Sequence, residues 1–313
     1  MIEFLKKLGL PEAYSLQAEG VDIVIGWVHV LMFALFVGWG TFFIFTLFRF
    51  RRSRNPEANY AGVKGHLSTY VEVGVVLFEA LLLIALSFPV WASRVEGIPD
   101  ESEAEVVRVV AQQFRWNIRY PGPDNVFGRT APDLIDDQAL NFIGLDWSDD
   151  AANDDIIPTQ GHLHLPVNKP CLIYLSTRDV IHSLSIPVMR VKQDAIPGMR
   201  TPVWFTPTQT GSWEVACAQL CGNSHYEMKG FVHVHTPGGY EAYMAALGLV
   251  KEIDDYDLSF EAEATLAKAI EALKAGNAGE AESLAIEGKS QAGFALKEKE
   301  ELGEEEGEEW EEW

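Results

Sequence analysis

Polar and apolar positions are not mixed evenly along this chain. From Ile23 to Phe48, 26 residues pass without one charged side chain, more than the roughly 20 that cross a bilayer as a helix. A second apolar stretch, Val73 to Ala92, holds a single carboxylate, Glu79, and meets Pro89 near its end. Both stretches exceed the short apolar region of a cleaved signal, and the first lacks a basic lead. The pattern predicts an antiparallel hairpin of two transmembrane helices over 21–95, preceded by an external segment, 1–20. The loop between them, about 49–66, carries Arg49, Arg51, Arg52, Arg54 and Lys64 against one acid, Glu57. An excess of basic residues in a short loop places it in the cytoplasm, so both termini and all that follows lie outside.

From 104 to about 237 the period changes from helical to alternating. EVVRVVAQQFRWNIRY alternates, LHLPV and CLIYLS are short β-rich runs, and Pro and Gly punctuate them. Several short strands over this length predict an all-β Greek-key sandwich or barrel, occupying 96–240. Residues 121–161 interrupt it with nine aspartates (124, 133, 136, 137, 146, 149, 150, 154 and 155) against Arg129 alone, and read as an acidic insert. The rest, 241–313, is an acidic extension. It is rich in Ala, Glu and Lys from Phe260 to Leu302 and predicted partly helical, weakened by Gly276, Gly279, Gly288 and Gly293. EEEGEEWEEW at its end reads as a solvated charge run. The fold class expected is an α+β membrane protein: helical hairpin, β domain, helical extension.

Charge sharpens this division. The formal net charge is −22, which argues against a nucleic-acid partner, since a phosphate backbone needs a basic surface. Yet the mean hydropathy is zero, an average over lipid-facing helices and an acidic exterior. Residues 251–313 hold 20 acids and 6 bases, a net −14, so most of the charge belongs to the extension.

Three cysteines are too few for a disulfide framework and point to metal or redox chemistry instead. Two of them open the segment CAQLCGNSHYEM, which offers Cys217, Cys221, His225 and Met228 within twelve residues. Soft sulfur with imidazole suits copper, zinc or iron–sulfur. Structural zinc has no use for the methionine, and an iron–sulfur cluster needs more cysteine or histidine ligands. A Met just after a Cys and a His, in a loop between strands, is the arrangement of a cupredoxin. One cysteine would give a mononuclear copper site, whereas two, four residues apart, can instead bridge two copper ions. A second histidine is then required, and DVIHSLSIP supplies His182 at the end of a β run.

DVIHSLSIP, DAIPGM and C-x-x-x-C-G-x-x-H-x-x-M resemble subunit II of the haem–copper cytochrome c oxidases of bacterial type, over roughly residues 20–240. The resemblance implies a dinuclear Cu-A centre. Cys217 and Cys221 would bridge both ions, His182 with Met228 would complete one copper, and His225 with the backbone carbonyl of Gln219 the other. It implies an electron-accepting subunit in the bacterial cytoplasmic membrane, its copper domain on the periplasmic side. Electrons would come from cytochrome c or a c-haem domain and pass to haem in subunit I, where oxygen is reduced. Its partners would be subunit I, the other oxidase subunits and membrane lipid. The Cu-A subunit of a nitric oxide reductase and a membrane-tethered copper carrier are the alternatives. Fixed paired cysteines disfavour the carrier, and intact copper ligands disfavour a quinol oxidase.

The sequence departs from the family at several points. Gln219 stands where the family usually has Glu, and its neutral amide is a poorer ligand for an interfacial magnesium ion. By the resemblance, the aromatic pair through which electrons would enter is Phe114 and Trp116, with Phe114 in place of the usual tryptophan. No C-x-x-C-H occurs, so no covalent haem is implied in this chain. By the same resemblance Glu72 lies at the mouth of a proton pathway, with Glu79 deeper in the span. Glu79 exposed to lipid would cost about 2.5–3.5 kcal/mol, so it should face a partner or be protonated; His29 in the first span presents the same choice. Asp179 and Asp194, near the copper loop, are the candidate docking charges for a basic donor. His162, His164, His233 and His235 alternate along strands and read as structural, and Cys171 reads as a buried strand residue.

Overall fold

The computed structural model describes residues 1–57, 60–62, 65–253 and 256–311, so Lys64 of the basic loop lies outside it. The chain forms two compact units: residues 1–12 with 18–97, and 13–17 with 98–313.

The first unit is helical. After α1 (Ile2–Lys7), α2 (Ala18–Arg49) runs for 32 residues, about 48 Å at 1.5 Å per residue. Then α3 (Leu67–Leu82) leads through one π turn (Leu83–Ser87) into α4 (Phe88–Glu96). Both α2 and the continuous stretch from Leu67 to Glu96 are long and apolar enough to cross a membrane. Large side chains such as Phe36, Phe43, Val76 and Ile84 are exposed along them, which is where lipid or partner helices supply the apolar environment. The second span, expected to run past Pro89 to about residue 95, does so: the helix passes through Pro89 and continues to Glu96. Proline lacks the N–H and collides with the carbonyl four residues back; the π turn immediately before it reroutes those carbonyls, and Pro89 sits in the first turn of α4. Within α2, His29 spends Nδ1 on the carbonyl of Ile25, 2.8 Å away. Glu72 and Glu79 are both exposed on α3.

The second unit is a two-sheet β sandwich carrying helices. Its strands are β1 (Glu105–Gln112), β2 (Arg115–Arg119), β3 (His162–Pro166), β4 (Cys171–Thr177), β5 (His182–Ile186), β6 (Val191–Ala195), β7 (Thr201–Phe205), β8 (Gly211–Cys217) and β9 (Lys229–His235). One sheet has the order β2-β1-β4-β7 and the other β3-β9-β8-β5-β6. The pairs β1/β4 and β3/β9 are parallel and the rest antiparallel, which gives the crossed connections of a Greek key. Alternation along each strand sends Val107, Val109, Ile173, Leu175, Val232 and Val234 into the shared core. Cys171 is fully buried there. The segment 13–17 joins this unit, with Tyr14 packed at a tilt against Trp213 at 4.9 Å between centroids.

The insert 121–161 contains two short 3-10 turns, Pro132–Leu134 and Asp150–Ala152. Its aspartates are largely turned to holding it together, and Arg129 is not their sole basic partner. Arg119 of β2 reaches Asp155 at 2.7 Å with both side chains almost wholly buried. The same carboxylate oxygen accepts the Gly128 N–H, and Arg119 also donates to the Gly128 carbonyl. Arg178 takes Asp137 at 2.8 Å, and Arg129 takes Asp146 and Asp149. Arg119 of β2 and Arg178, just after β4, thus neutralise part of what reads in sequence as an acidic run relieved by Arg129 alone.

The extension is helical over more of its length than its composition suggests: α5 (Pro237–Ile253), α6 (Tyr256–Lys274) and α7 (Ala278–Glu311). It packs on the sandwich. Tyr240, Tyr243, Met244 and Ala246 of α5, Leu266 of α6 and Ala285 of α7 join the main core. The Tyr240 hydroxyl donates to Glu105 at 2.6 Å, and the Thr236 hydroxyl to Glu282 at 2.6 Å. Gly288 lets α7 approach α6 closely, since a Cβ there would lie 2.9 Å from Leu266.

Candidate metal centre

The loop between β8 and β9 is closed at its base by sheet pairing, with Ala216 opposite Lys229. Across that base the Cys217 N–H donates to the Met228 carbonyl at 3.3 Å, so the first and last candidate ligands are cross-strand neighbours. Strand β5 pairs with β8 through Leu184 and Cys217, and the Ala218 N–H donates to the Ser183 carbonyl. This pairing brings His182 to the loop, although 35 residues separate it from Cys217 in sequence.

The side chains converge. The His182 Nδ1 lies 3.1 Å from the Met228 Sδ and 4.0 Å from the Cys217 Sγ. The two sulfurs of Cys217 and Cys221 are 4.0 Å apart. Cys221 lies 3.5 Å from the His225 Nδ1 and 3.9 Å from the Met228 Sδ. The Cys217 thiol donates to the Gln219 carbonyl at 3.1 Å, which turns that oxygen toward the cluster while the Gln219 residue is exposed overall. His182 and Met228 are at most 1% exposed, and Cys217 and Cys221 are buried. All six residues singled out in the sequence therefore meet at one place.

A sulfur separation of 4.0 Å is about twice that of a disulfide, yet two metal–thiolate bonds of about 2.3 Å span it readily. Burial, then the neighbouring Cys217, push the Cys221 thiol up to about 11. The thiolates that metal binding would require would therefore form only as a metal bound. His182 is held in one tautomer: its Nε2–H donates to the Asp179 carboxylate at 2.8 Å, which leaves Nδ1 bare toward the sulfurs.

Asp179 is therefore not an open docking charge. Its carboxylate also accepts the N–H groups of Gln113 and Val180, each at 2.7 Å. Burial would raise its pKa, but these two N–H groups and His182 outweigh that and hold it below the usual carboxylate range. Sequence reasoning missed this role. The signal that could have found it is the spacing D-x-x-H, which sets a carboxylate three residues from a ligand. Asp194 stays half exposed, accepting from the Ser183 hydroxyl at 2.6 Å.

The two aromatic positions differ. Trp116 is 1% exposed and packs edge-on to His182 with centroids 6.3 Å apart. Phe114 is half-buried over the ligand loop. It presses on Gly222, whose φ is +148° and where a Cβ would lie 2.8 Å from the Phe114 ring and from Gln113 Nε2. The Gln113 side chain in turn donates to the Cys221 carbonyl at 2.6 Å. Beside this, Leu220 and Tyr226 are each 78% exposed on the loop surface.

Comparison with known proteins agrees with this arrangement. The profile of the family described as "Cytochrome C oxidase subunit II, periplasmic domain" matches residues 106–234. The "Alternative cytochrome c oxidase subunit 2" of Bradyrhizobium diazoefficiens is 34% identical over 215 residues, 66% of this chain and 76% of the relative. The "Cytochrome c oxidase subunit 2" of Thermostichus vulcanus is 32% identical over 261 residues, 75% and 77% of the two chains. That of Cereibacter sphaeroides is 28% identical over 254 residues, 75% and 78%. With two apolar helices ahead of a cupredoxin domain whose sulfur and imidazole ligands converge, and with relatives matched over three-quarters of their length, the chain belongs to the cytochrome c oxidase subunit II family.

Proposed function

We propose that this chain is the electron-accepting subunit of a terminal oxidase. It takes electrons one at a time from cytochrome c or a c-haem domain and passes them to haem in subunit I, where oxygen is reduced to water. The observation that carries this reading is the 4.0 Å pair of buried sulfurs flanked by His182, His225 and Met228. Cys217 and Cys221 would hold two copper ions between them, with His182 and Met228 on one and His225 and the Gln219 carbonyl on the other. Bound there, the pair of ions supplies a one-electron couple spread over both sulfurs.

The chain's own residues do the rest. Asp179 fixes the His182 ring, and Met228 with Trp116 excludes water from the buried side. The sheet holds the ligands at nearly one geometry, so little reorganisation accompanies electron transfer. Phe114, half-buried over the loop, is the aromatic contact for an incoming electron. In a cell the two apolar helices would anchor the chain in the bacterial cytoplasmic membrane with the copper domain on the periplasmic side.

Electron paramagnetic resonance of the copper-loaded full chain tests the proposal. Hyperfine structure from two equivalent copper nuclei is expected, and Cys221→Ser should abolish it. A four-line mononuclear spectrum from the native protein would refute it.

A further inference from the structure

Four histidines that read as ordinary strand residues line one face of the sandwich. Strands β3 and β9 run parallel with His164 opposite His233 and Pro166 opposite His235. Leu163, Leu165, Val232 and Val234 point into the core. By alternation His162, His164, His233 and His235 share the opposite face. On a solvated face this would mean little, but here the C-terminal extension covers it. The Tyr243 ring of α5 stacks on His164 with centroids 4.4 Å apart, and His164, His233 and His235 are at most 1% exposed.

A neutral imidazole has one donor and one acceptor nitrogen. Two bonds are made within the cluster: His162 Nδ1 to His233 Nε2 at 2.9 Å, and His164 Nδ1 to His235 Nε2 at 3.0 Å. The His164 Nε2 and the His233 Nδ1 are left buried with no hydrogen-bond partner. Orphaned buried polar atoms are unfavourable, and valine or leucine would fill the same space without them. Burial also keeps the rings neutral, with His233 lowered to about 2, His235 to about 3 and His164 well below its ordinary value. Neutral imidazole is the form that binds metal.

We infer that His162, His164 and His233 form a second metal site, distinct from the sulfur loop, for one divalent cation of the zinc type. Ring nitrogens of these three residues lie within 4.8 Å of one another. Tetrahedral ligation at about 2.0–2.1 Å sets nitrogens about 3.3–3.4 Å apart, so the cluster tightens on binding by turning its rings, and the His162–His233 hydrogen bond is given up to free a lone pair on each. The hard cations magnesium and calcium require oxygen ligands, whereas an all-imidazole set selects a late first-row ion. His235 is a positioning residue. By accepting Nδ1–H from His164 it leaves the His164 Nε2 lone pair free for metal. His162, half-buried, is the path from solvent. The cation facing the cluster is Lys274, whose charge is paired with Glu271 at 2.7 Å.

The test uses the full chain in detergent with Cys217→Ser and Cys221→Ser, so that the thiolates of the sulfur loop cannot contribute. Titration with Co2+ is expected to give one equivalent of a four-coordinate visible spectrum without sulfur charge transfer, displaced by Zn2+. Adding His164→Gln or His233→Gln should abolish that equivalent, and His235→Gln should weaken it about 10–100-fold. Where a buried variant fails to fold, the half-exposed His162→Gln serves in its place. Either no bound equivalent, or one indifferent to these histidines, would overturn the inference, whatever the spectrum of the copper loop proves to be.

Discussion

Replacing Asp179 by Asn separates the charge behind His182 from its shape. The carboxylate takes the His182 Nε2–H at 2.8 Å and the Gln113 and Val180 N–H groups at 2.7 Å. Hydrogen bonds to a charged group contribute about 1.5–3 kcal/mol, against about 0.5–1.5 for neutral partners. The amide therefore loses about 1–1.5 kcal/mol at the imidazole, close to a tenfold change in Kd. Outer-sphere partners of ligating histidines typically account for 10–100-fold in metal affinity. A second effect adds to this: one end of the amide is itself a donor, so either orientation sets an NH2 against an N–H that is now satisfied. That leaves a donor unpaired at about 1–3 kcal/mol of folding stability. Competition of the full chain against a copper chelator should show affinity reduced tenfold or more, and denaturant unfolding of the metal-free chain a lower midpoint. Asp194→Asn, whose carboxylate takes the Ser183 hydroxyl and Lys192 instead, is the control and should bind copper as the native chain does. Copper affinity of Asp179→Asn within twofold of native would refute the claim that this carboxylate orients His182.

Two further outcomes follow from the packing. Asp155→Ala strands the Arg119 guanidinium in a dry site and should destabilise the β unit by about 3–5 kcal/mol in denaturant unfolding. The paired change Arg119→Met with Asp155→Leu should restore most of it, because a buried ion pair contributes little beyond an apolar one. Gly222→Ala introduces a Cβ 2.8 Å from Phe114 at a φ of +148°. It should cost about 1–3 kcal/mol and alter the copper spectrum, since the loop must shift to relieve the contact; an unchanged spectrum and melting temperature would count against the close packing.

Legibility in the sequence followed the range of the interactions. The spans were readable because membrane crossing is a property of one contiguous segment. Four candidate ligands fall within twelve residues, so the candidate metal loop is legible too, and a loop one ligand short points to His182. Features that depend on which strands lie side by side were not readable. The histidine face exists only because β3 and β9 pair in parallel with His164 opposite His233. Asp179 reads as a surface charge because its one local sign, a carboxylate three residues before His182, gains meaning only once His182 is known to turn into the cluster. Helix α5 begins at Pro-Gly-Gly, which signals a turn, and is held by burial of Tyr240 and Tyr243 against the sandwich rather than by helix propensity. The π turn that accommodates Pro89 leaves no mark in composition and was not legible either.

The closed base of the metal loop bears on the order in which the protein matures. With Cys217 bonded to Met228 and Ala216 paired with Lys229, the sheet itself fixes the two ends of the ligand segment. The ordering entropy of those twelve residues is then met largely when the sheet forms. The β unit can therefore fold with the socket already shaped. Any metal ion taken up there would enter a cast mould, with no chain left to wrap around it.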